Sequence, residues 1–196
     1  MGIRVEFWEI PQADIKRAVI DDFSRMKNWY ESIGNEFPED LDYELLENLE
    51  NIVDPEHLFE EFDEHKIDEL VALYIGDYCD LGHGKMSPVK GTSMLYIRHY
   101  NNDQGVIDQK CSLETRQLWN YILKGRSVTE SLPFKIEDPI FRFCIFTEPE
   151  CQALFEDLVS HFDTSGTVGF NNNPGIGSVI QALQNKKGEG ILITVA

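Results

Sequence analysis

The hydrophobic pattern at the start of the chain changes from a strand period to a helix period. Ile3, Val5 and Phe7 alternate with polar residues, which predicts a strand over residues 3–8. Pro11 suits the first turn of a helix, and apolar residues then recur at steps of three and four. This spacing predicts a helix from about Gln12 to Glu31 that ends before Gly34, with Ile15, Val19, Phe23, Met26 and Tyr30 on its apolar side.

Two further helices are predicted in the next part of the chain. The first runs from Asp40 to Asn51, with Leu41, Leu45, Leu46 and Leu49 facing inward. Asp54 followed by Pro55 is a start signal for the second, because Asp caps a helix and Pro fits its first turn. The apolar positions that follow fit one helix, or two helices broken near His65.

The middle of the chain is interpreted as a loop, a hairpin and a helix. Gly76–Gly91 contains four glycines and a proline, which favours a loop, and Ser93–Tyr100 favours a strand. Asn101–Gly105 then predicts a turn, after which Val106 and Ile107 would begin the partner strand. Ser112 caps a predicted helix through Lys124, whose apolar side holds Leu113, Leu118, Trp119 and Ile122.

The C-terminal third predicts two more strands and two more helices. Ile140–Phe146 is short and apolar, as in a buried strand, and Thr147 with Glu150 forms a capping box for the helix that carries Cys151 to Phe162. Ser178–Lys187 is predicted to be helical and Ile191–Val195 to be the last strand. We therefore expect an α+β fold with a small, mostly antiparallel sheet, near residues 3–8, 93–100, 140–146 and 191–195, and about six packed helices.

Length and composition fit a single compact domain over residues 1–196. Hydrophobic residues make up 42% of the 196, which is normal for a globular protein, and no apolar run is long enough to span a bilayer. Charges at Arg4, Glu6 and Glu9 interrupt any signal-peptide core, so we expect a cytoplasmic protein with reduced cysteines. The sequence does not predict the oligomeric state.

The net charge of −18 narrows the set of partners. Such a chain repels phosphate backbones and anionic lipid headgroups, so nucleic-acid and membrane binding are disfavoured. Seventeen of the 35 acidic residues lie between Glu36 and Asp80, where Lys66 is the one Lys or Arg. The acidic helical segment at about 36–75 is therefore predicted either to be a solvated surface or to dock a basic protein.

Six carboxylates in this segment form the predicted interaction face: Glu60, Glu61, Asp63, Glu64, Asp68 and Glu69. Such a belt could also hold a hard cation or supply an acid and base pair. The EF-hand pattern of calcium loops is missing, and we predict no metal site and no cofactor.

Cys79, Asp80 and His83 are weak candidates for catalytic residues. A loop that carries a thiol, a carboxylate and an imidazole could ligate a metal, but Gly82 and Gly84 argue against the helical spacing that would align Cys79 with His83. A cysteine nucleophile is another interpretation. Cys111 and Cys151 lie near helix starts, whereas Cys144 lies among aromatic residues and is expected in the core.

The glycine-rich run 166–178 leads into a predicted helix. Free amides at a helix start can bind an anion, although the run lacks the lysine of a phosphate-binding loop and the third glycine of a dinucleotide site. The other interpretation is an irregular connection in which Gly and Asn serve positive φ angles.

Two segments at the ends of the chain carry a recognisable pattern. They are Met1-Gly2-Ile3 leading into Phe7-Trp8-Glu9-Ile10, and Ile180 to Leu183 followed by a Lys-Gly turn and Gly190-Ile191-Leu192-Ile193-Thr194-Val195. Both segments resemble the YfbM-like family of uncharacterised bacterial proteins. They cover about 35 residues of the 196. The resemblance implies a bacterial α+β domain without an assigned activity, in which the first and last strands pair in one sheet.

We expect a non-enzymatic protein-binding or regulatory domain, similar in role to an inhibitor or immunity protein, with a basic protein as partner. The alternative is a small-molecule or metal-dependent enzyme whose cleft lies between the 76–91 and 166–178 loops. A deep pocket with convergent His, Cys and Asp would favour the enzyme, and a flat acidic face would favour the binding domain.

Overall fold

A computed structural model of the chain describes residues 2–10, 15–36, 42–79, 82–83, 86–92, 94–129, 134, 141–162 and 172–196. By its contacts the chain divides into two compact units. We name Met1–Ala13, Met86–Arg126 and Asp138–Ala196 the sheet unit, and Asp14–Lys85 with Ser127–Glu137 the acidic unit. Each is described by itself, and the single-domain organisation stays a prediction.

The described residues form five strands and eight α-helices, which confirms the predicted α+β class. In chain order they are β1 (Arg4–Ile10), α1 (Ile15–Glu36), α2 (Tyr43–Asn51), α3 (Leu58–Glu61), α4 (Ile67–Ala72), β2 (Ser87–Pro88), β3 (Leu95–Tyr96), α5 (Ile97–Lys110), α6 (Leu113–Lys124), β4 (Arg142–Phe146), α7 (Glu148–His161), α8 (Pro174–Asn185) and β5 (Gly190–Val195).

The sheet is antiparallel throughout, in the order β2-β1-β5-β4, with β3 also paired to β1. The first and last strands pair along their length, from Val5 opposite Val195 to Ile10 opposite Gly190. All six residues of β5 are buried, as expected for a central strand. The predicted pairing of the two chain ends is therefore present.

Helices α5 to α8 belong to the same unit as the sheet and share its core. Trp119 of α6 is fully buried and donates a hydrogen bond from Nε1 to the carbonyl oxygen of Tyr100, 3.3 Å away. The predicted capping box of α7 is present, with Glu150 Oε2 accepting from the Thr147 amide at 2.9 Å. Buried apolar residues of the sheet and helices form one cluster, which includes Phe7, Tyr100, Trp119, Phe146, Leu154, Ile180 and Ile193.

The acidic unit contains α1 to α4 and several short turns. A 3₁₀ turn, Pro55–His57, precedes α3, and a second, Glu64–Lys66, precedes α4. Asp42 caps α2 by accepting from the amides of Glu44 and Leu45, and Asp54 caps the first turn by accepting from Glu56. The structure shows two helices and not one, because Phe62, Asp63 and the 3₁₀ turn Glu64–Lys66 separate α3 from α4.

The predicted hairpin after residue 93 is wrong. Strand β3 holds two residues, and Ile97–Lys110 is helix α5, which includes the predicted turn Asn101–Gly105 and the predicted strand residues Val106 and Ile107. The reason is the spacing of the buried positions: Tyr100, Asp103 and Ile107 recur at three and four residues and pack on one side of α5. Met94–Ile97 is a short, continuous apolar run, which fits a strand as well as a buried segment of a helix.

Three element boundaries and the position of one side chain also differ from the prediction. Helix α1 continues through Gly34 to Glu36, and Leu73–Cys79 is a π-helix where the predicted 76–91 loop begins. Leu113 is 80% exposed, so it does not lie on the apolar side of α6. Helix α8 begins at Pro174, four residues before the predicted start. The predicted positions Gln12, Asp40, Leu41, Ser93 and Ile140 lie outside the described residues.

Candidate functional site

The 42–64 segment of the acidic unit is rich in exposed carboxylates. All ten acidic residues between Asp42 and Glu64 have exposed side chains. They are Asp42, Glu44, Glu47, Glu50, Asp54, Glu56, Glu60, Glu61, Asp63 and Glu64. These ten side chains are therefore accessible from solvent, where a partner protein could contact them.

The predicted interaction face did not include the outer side of α2, which also carries exposed carboxylates. Leu45 and Leu49 are buried and hold the helix against its own unit. Glu47 lies two residues from each leucine, which is about 200° around the helix, so it points to the opposite side. Glu44 and Glu50 flank it at three-residue spacing. The signal was available in the sequence as a Glu repeat out of phase with the leucines.

Few cations lie among these carboxylates in the described residues. Lys66 Nζ is 3.0 Å from Glu69 and 3.9 Å from Glu44, and its hydrogen bond to Glu69 raises the pKa of Lys66. Lys66 thus joins the turn that precedes α4 to the start of α2. Arg17 of α1 lies 2.7 Å from both Glu56 and Asp21. One carboxylate of α2, Glu44, and one of α4, Glu69, therefore lie on either side of Lys66.

Four of the six residues of the predicted face are exposed and two are not. Glu60, Glu61, Asp63 and Glu64 are exposed. The predicted water-facing position of Asp68 is wrong: it is 5% exposed and accepts hydrogen bonds from Ser127 Oγ at 3.1 Å and the Val128 amide at 3.0 Å. Glu69 is partly buried and pairs with Lys66. Both lie on α4, whose inward positions include Ile67, Leu70 and Val71.

The catalytic candidates Cys79 and His83 differ in exposure. Cys79 is buried at the end of the π-helix, where its thiol hydrogen-bonds with the Tyr74 hydroxyl. His83 is exposed, and its ring stacks on Tyr78 with 5.6 Å between centroids. Asp80, the third candidate, lies outside the described residues.

The cluster around Tyr74 is buried and polar. Tyr74 donates to Asp22 Oδ2 over 3.0 Å, and Arg25 binds the other oxygen of the same carboxylate. Burial, followed by the neighbouring Cys79, raises the pKa of Tyr74 far above its ordinary value. The Tyr74 hydroxyl therefore stays protonated at neutral pH and can donate its hydrogen bond. This hydrogen bond links the π-helix to α1.

The other three thiols are also unsuited to nucleophilic attack. Burial raises the pKa of Cys111 to about 11 and that of Cys151 to about 12. Cys144 is completely buried, which raises its pKa further. Because the thiolate is the reactive form, the helix-start positions of Cys111 and Cys151 do not activate them.

The helix start in the glycine-rich run is already filled by a carboxylate of the protein. Asp103 of α5 is 3% exposed, and its Oδ2 accepts from the Ile176 amide at 2.9 Å. Asn173, the N-cap residue of α8, makes no side-chain cap hydrogen bond. The Ile176 amide, which an anion could have bound under one of the two interpretations of this run, is therefore already bound by the protein, and residues 166–171 lie outside the described residues.

Close packing of α8 against α5 explains why position 175 is a glycine. A Cβ there would lie 2.9 Å from Asp103 Oδ2 and 3.0 Å from the Tyr100 Cα, and backbone atoms cannot move aside cheaply. Gly175 therefore permits the close approach of α8 to α5 that lets Asp103 reach the amide of Ile176.

Comparison with known proteins adds no family assignment. No family model matches the chain, and neither a curated protein nor a solved structure does so. Within the described ranges, no three His, Cys, Asp or Glu side chains are placed to hold a metal ion, and no helix is long and apolar enough to cross a membrane.

Proposed function

We propose that the protein is a non-enzymatic protein-binding or regulatory domain, inhibitor-like or immunity-like in role, whose acidic unit binds a basic surface of a partner protein. The observation that carries this proposal is the run of ten exposed carboxylates between Asp42 and Glu64. Complementary potentials of this kind raise association rates and exclude partners of the same sign.

The distribution of charge supports the proposal. The acidic unit contains 23 acidic and 7 basic residues, for a net charge of −16, whereas the sheet unit contains 12 and 10, for a net charge of −2. Solubility would be served equally well by acids spread over both units. Their concentration in one unit instead creates a directional field.

The spacing of the carboxylates argues against a purely stabilising role. Glu44, Glu47 and Glu50 repeat every three residues on α2. Like charges at this spacing destabilise a helix by about 0.2–0.5 kcal/mol per pair. A helix selected for stability alone would place a Lys or Arg among them.

The enzyme alternative lacks a comparable observation. In the part of the chain that the structure describes, Cys79 is buried and the exposed His83 stacks on Tyr78. We therefore retain the binding role as the proposed function. The partner class is a protein, because a field of this sign repels nucleic-acid phosphates.

The test compares two variants that each remove four negative charges. One changes Glu47, Glu50, Glu60 and Glu61 to Gln; the other changes four exposed acids of the sheet unit, Asp108→Asn with Glu114, Glu156 and Glu189→Gln. The probe is a fluorescent 20-residue peptide of Lys, Arg and Ser, with Kd measured by anisotropy at low salt.

We expect the first variant to weaken binding about 10-fold and the matched control to change it less than about 2-fold. The immobilised wild-type protein should also retain cellular proteins with a basic bias that the first variant loses. Equal weakening by both variants would show that the location of the charge is irrelevant, and the proposal would fail.

A further inference from the structure

Two large apolar side chains stand exposed at the ends of α2. Tyr43 at its first position is 62% exposed, and Val53, just past its last residue, is 91% exposed. The carboxylates of Glu44, Glu47 and Glu50 lie between them in sequence, all exposed. The acidic surface thus contains apolar groups that charge alone does not explain.

Tyr43 lies on the same side of α2 as the outward glutamates. Tyr43, Glu47 and Glu50 are spaced four and three residues apart, which places them on one face of a helix. The buried Leu45 and Leu49 occupy the opposite face. The outer face of α2 therefore combines one aromatic ring with two carboxylates, and within the described residues it has no covering element.

The distance between the two exposed apolar side chains is short enough for one partner to contact both. Tyr43 and the end of α2 are about 12 Å apart along the helix axis. A standard protein interface buries about 800 Å² per partner, which is wide enough to include both ends. Interfaces concentrate their binding energy in a few aromatic or apolar anchors surrounded by a polar rim.

We propose that the outer face of α2 is the centre of the partner interface, with Tyr43 and Val53 as apolar anchors and the surrounding glutamates as the rim. The inference rests on the proposed function and adds the class of partner. Charge complementarity to the acidic unit requires a Lys- and Arg-rich segment, and the anchors require that this segment also present aliphatic side chains. An amphipathic basic helix has both properties.

The experiment uses two synthetic peptides with the same number of Lys and Arg residues. The first carries Ser at all other positions, and the second carries Leu at positions three and four residues apart. Dissociation constants are measured by fluorescence anisotropy for the wild-type protein, Val53→Ser alone, Tyr43→Ser with Val53→Ser, and the four-Gln variant described above. Leu113→Ser is the matched control, because Leu113 is as exposed as the anchors but lies in the sheet unit.

We expect the Leu-bearing peptide to bind the wild type about 10-fold more tightly than the Ser peptide. The double variant should abolish most of that difference, Val53→Ser part of it, and Leu113→Ser none. Circular dichroism checks that α2 remains folded, and the single Val53→Ser variant tests the proposal independently of the helix.

The possible failures separate the two proposals. If the peptides bind equally, or if the anchor variants leave their ratio unchanged, the anchor proposal is overturned. The proposed function survives that result as long as the four-Gln variant weakens both peptides. If the four-Gln variant weakens neither peptide, the proposed function itself is overturned.

Discussion

The two units use the same residue type in opposite ways. In the sheet unit, five of the ten described acidic residues are exposed, and others serve the fold: Asp103 caps α8, and Asp157 of α7 accepts from the Ser112 amide at the start of α6, 2.8 Å away. In the acidic unit, all ten acids from Asp42 to Glu64 face water. Half of the described acids of the sheet unit are exposed, whereas the 42–64 segment exposes all of its acids, although Asp42 and Asp54 also cap helix starts and Glu56 pairs with Arg17.

This difference shows that acidity alone does not locate a function. A carboxylate that accepts backbone amides at a helix start contributes to folding through hydrogen bonds and the helix dipole. A carboxylate that projects into water contributes little to stability, and neighbouring like charges reduce it. The change in the free energy of unfolding on substitution can therefore distinguish carboxylates that accept backbone amides from carboxylates that project into water.

The largest effect is expected at Asp68, the buried acid of the acidic unit. Asp68→Ala should lower the free energy of unfolding by about 3 kcal/mol, because the Ser127 hydroxyl and the Val128 amide lose their acceptor in a buried site. Glu60→Ala, eight residues earlier and exposed, should change it by less than about 0.5 kcal/mol. Urea unfolding followed by circular dichroism measures both, and equal effects would contradict the division between buried and exposed acids.

A smaller loss is expected at Asp103, the acid that caps α8. Asp103→Ala should cost about 2 kcal/mol, because the buried amide of Ile176 loses its acceptor. Asp108→Ala on the same helix is the control, since Asp108 is exposed and should tolerate the change. Hydrogen exchange at the first turn of α8 should accelerate in the Asp103 variant and stay unchanged in the control.

The pH dependence gives Asp103 an independent signature. Burial outweighs the hydrogen bonds from Ile176 and Gly175 and raises the pKa of Asp103 above its ordinary 3.8. The folded chain therefore holds this proton more tightly than the unfolded chain. The contribution of Asp103 to the free energy of unfolding is therefore full below pH 3.8, and it falls as the pH rises through the pKa that Asp103 has in the folded state. Asp103→Asn should remove this decline from the urea-unfolding profile; a variant profile parallel to the wild type would count against the assignment.

Local signals in the sequence predicted the elements whose stabilising contacts are also local. The strands β1 and β5, the capping box at Thr147 and the helix that Ser112 caps were predicted because alternation, caps and stop residues act within a few positions. Helix α5 was not, because its Asn and Gly residues favour turns in isolation. Its buried Tyr100, Asp103 and Ile107 become a helical stripe through packing that sequence alone does not display.

The same limit applied to the candidate site. The sequence located the charge between Glu36 and Asp80, but not which carboxylates are exposed. Asp68 and Glu60 look alike in a charge count, and the distinction depends on Ser127 and Val128, about 60 residues further along the chain. The glycine-rich run looked like an open helix start because its partner, Asp103, comes from another element.

A moderate effect is expected from salt, because it acts mainly on the exposed acids. Raising NaCl from about 0.05 to 0.5 M shortens the screening length to about 4 Å, which should stabilise the wild type by about 1 kcal/mol through reduced self-repulsion. The variant with Gln at Glu47, Glu50, Glu60 and Glu61 should gain less, and the four-charge control in the sheet unit should respond like the wild type. Urea midpoints at the two salt concentrations test this, and identical responses in all three proteins would contradict it.

The smallest effect on stability is expected at Glu47. A change at this position should stabilise the fold and at the same time weaken binding. Glu47→Lys converts two repulsive pairs, with Glu44 and Glu50, into attractive pairs on the outer face of α2, and should raise the free energy of unfolding by about 0.5 kcal/mol. The same change places a positive charge at the centre of the proposed interface and should weaken binding of the Leu-bearing basic peptide. Glu114→Lys in the sheet unit is the control for net charge. A Glu47 variant that is more stable and binds less well would show that α2 sacrifices stability to keep its face acidic; one that binds equally well would leave the glutamates as solvated surface.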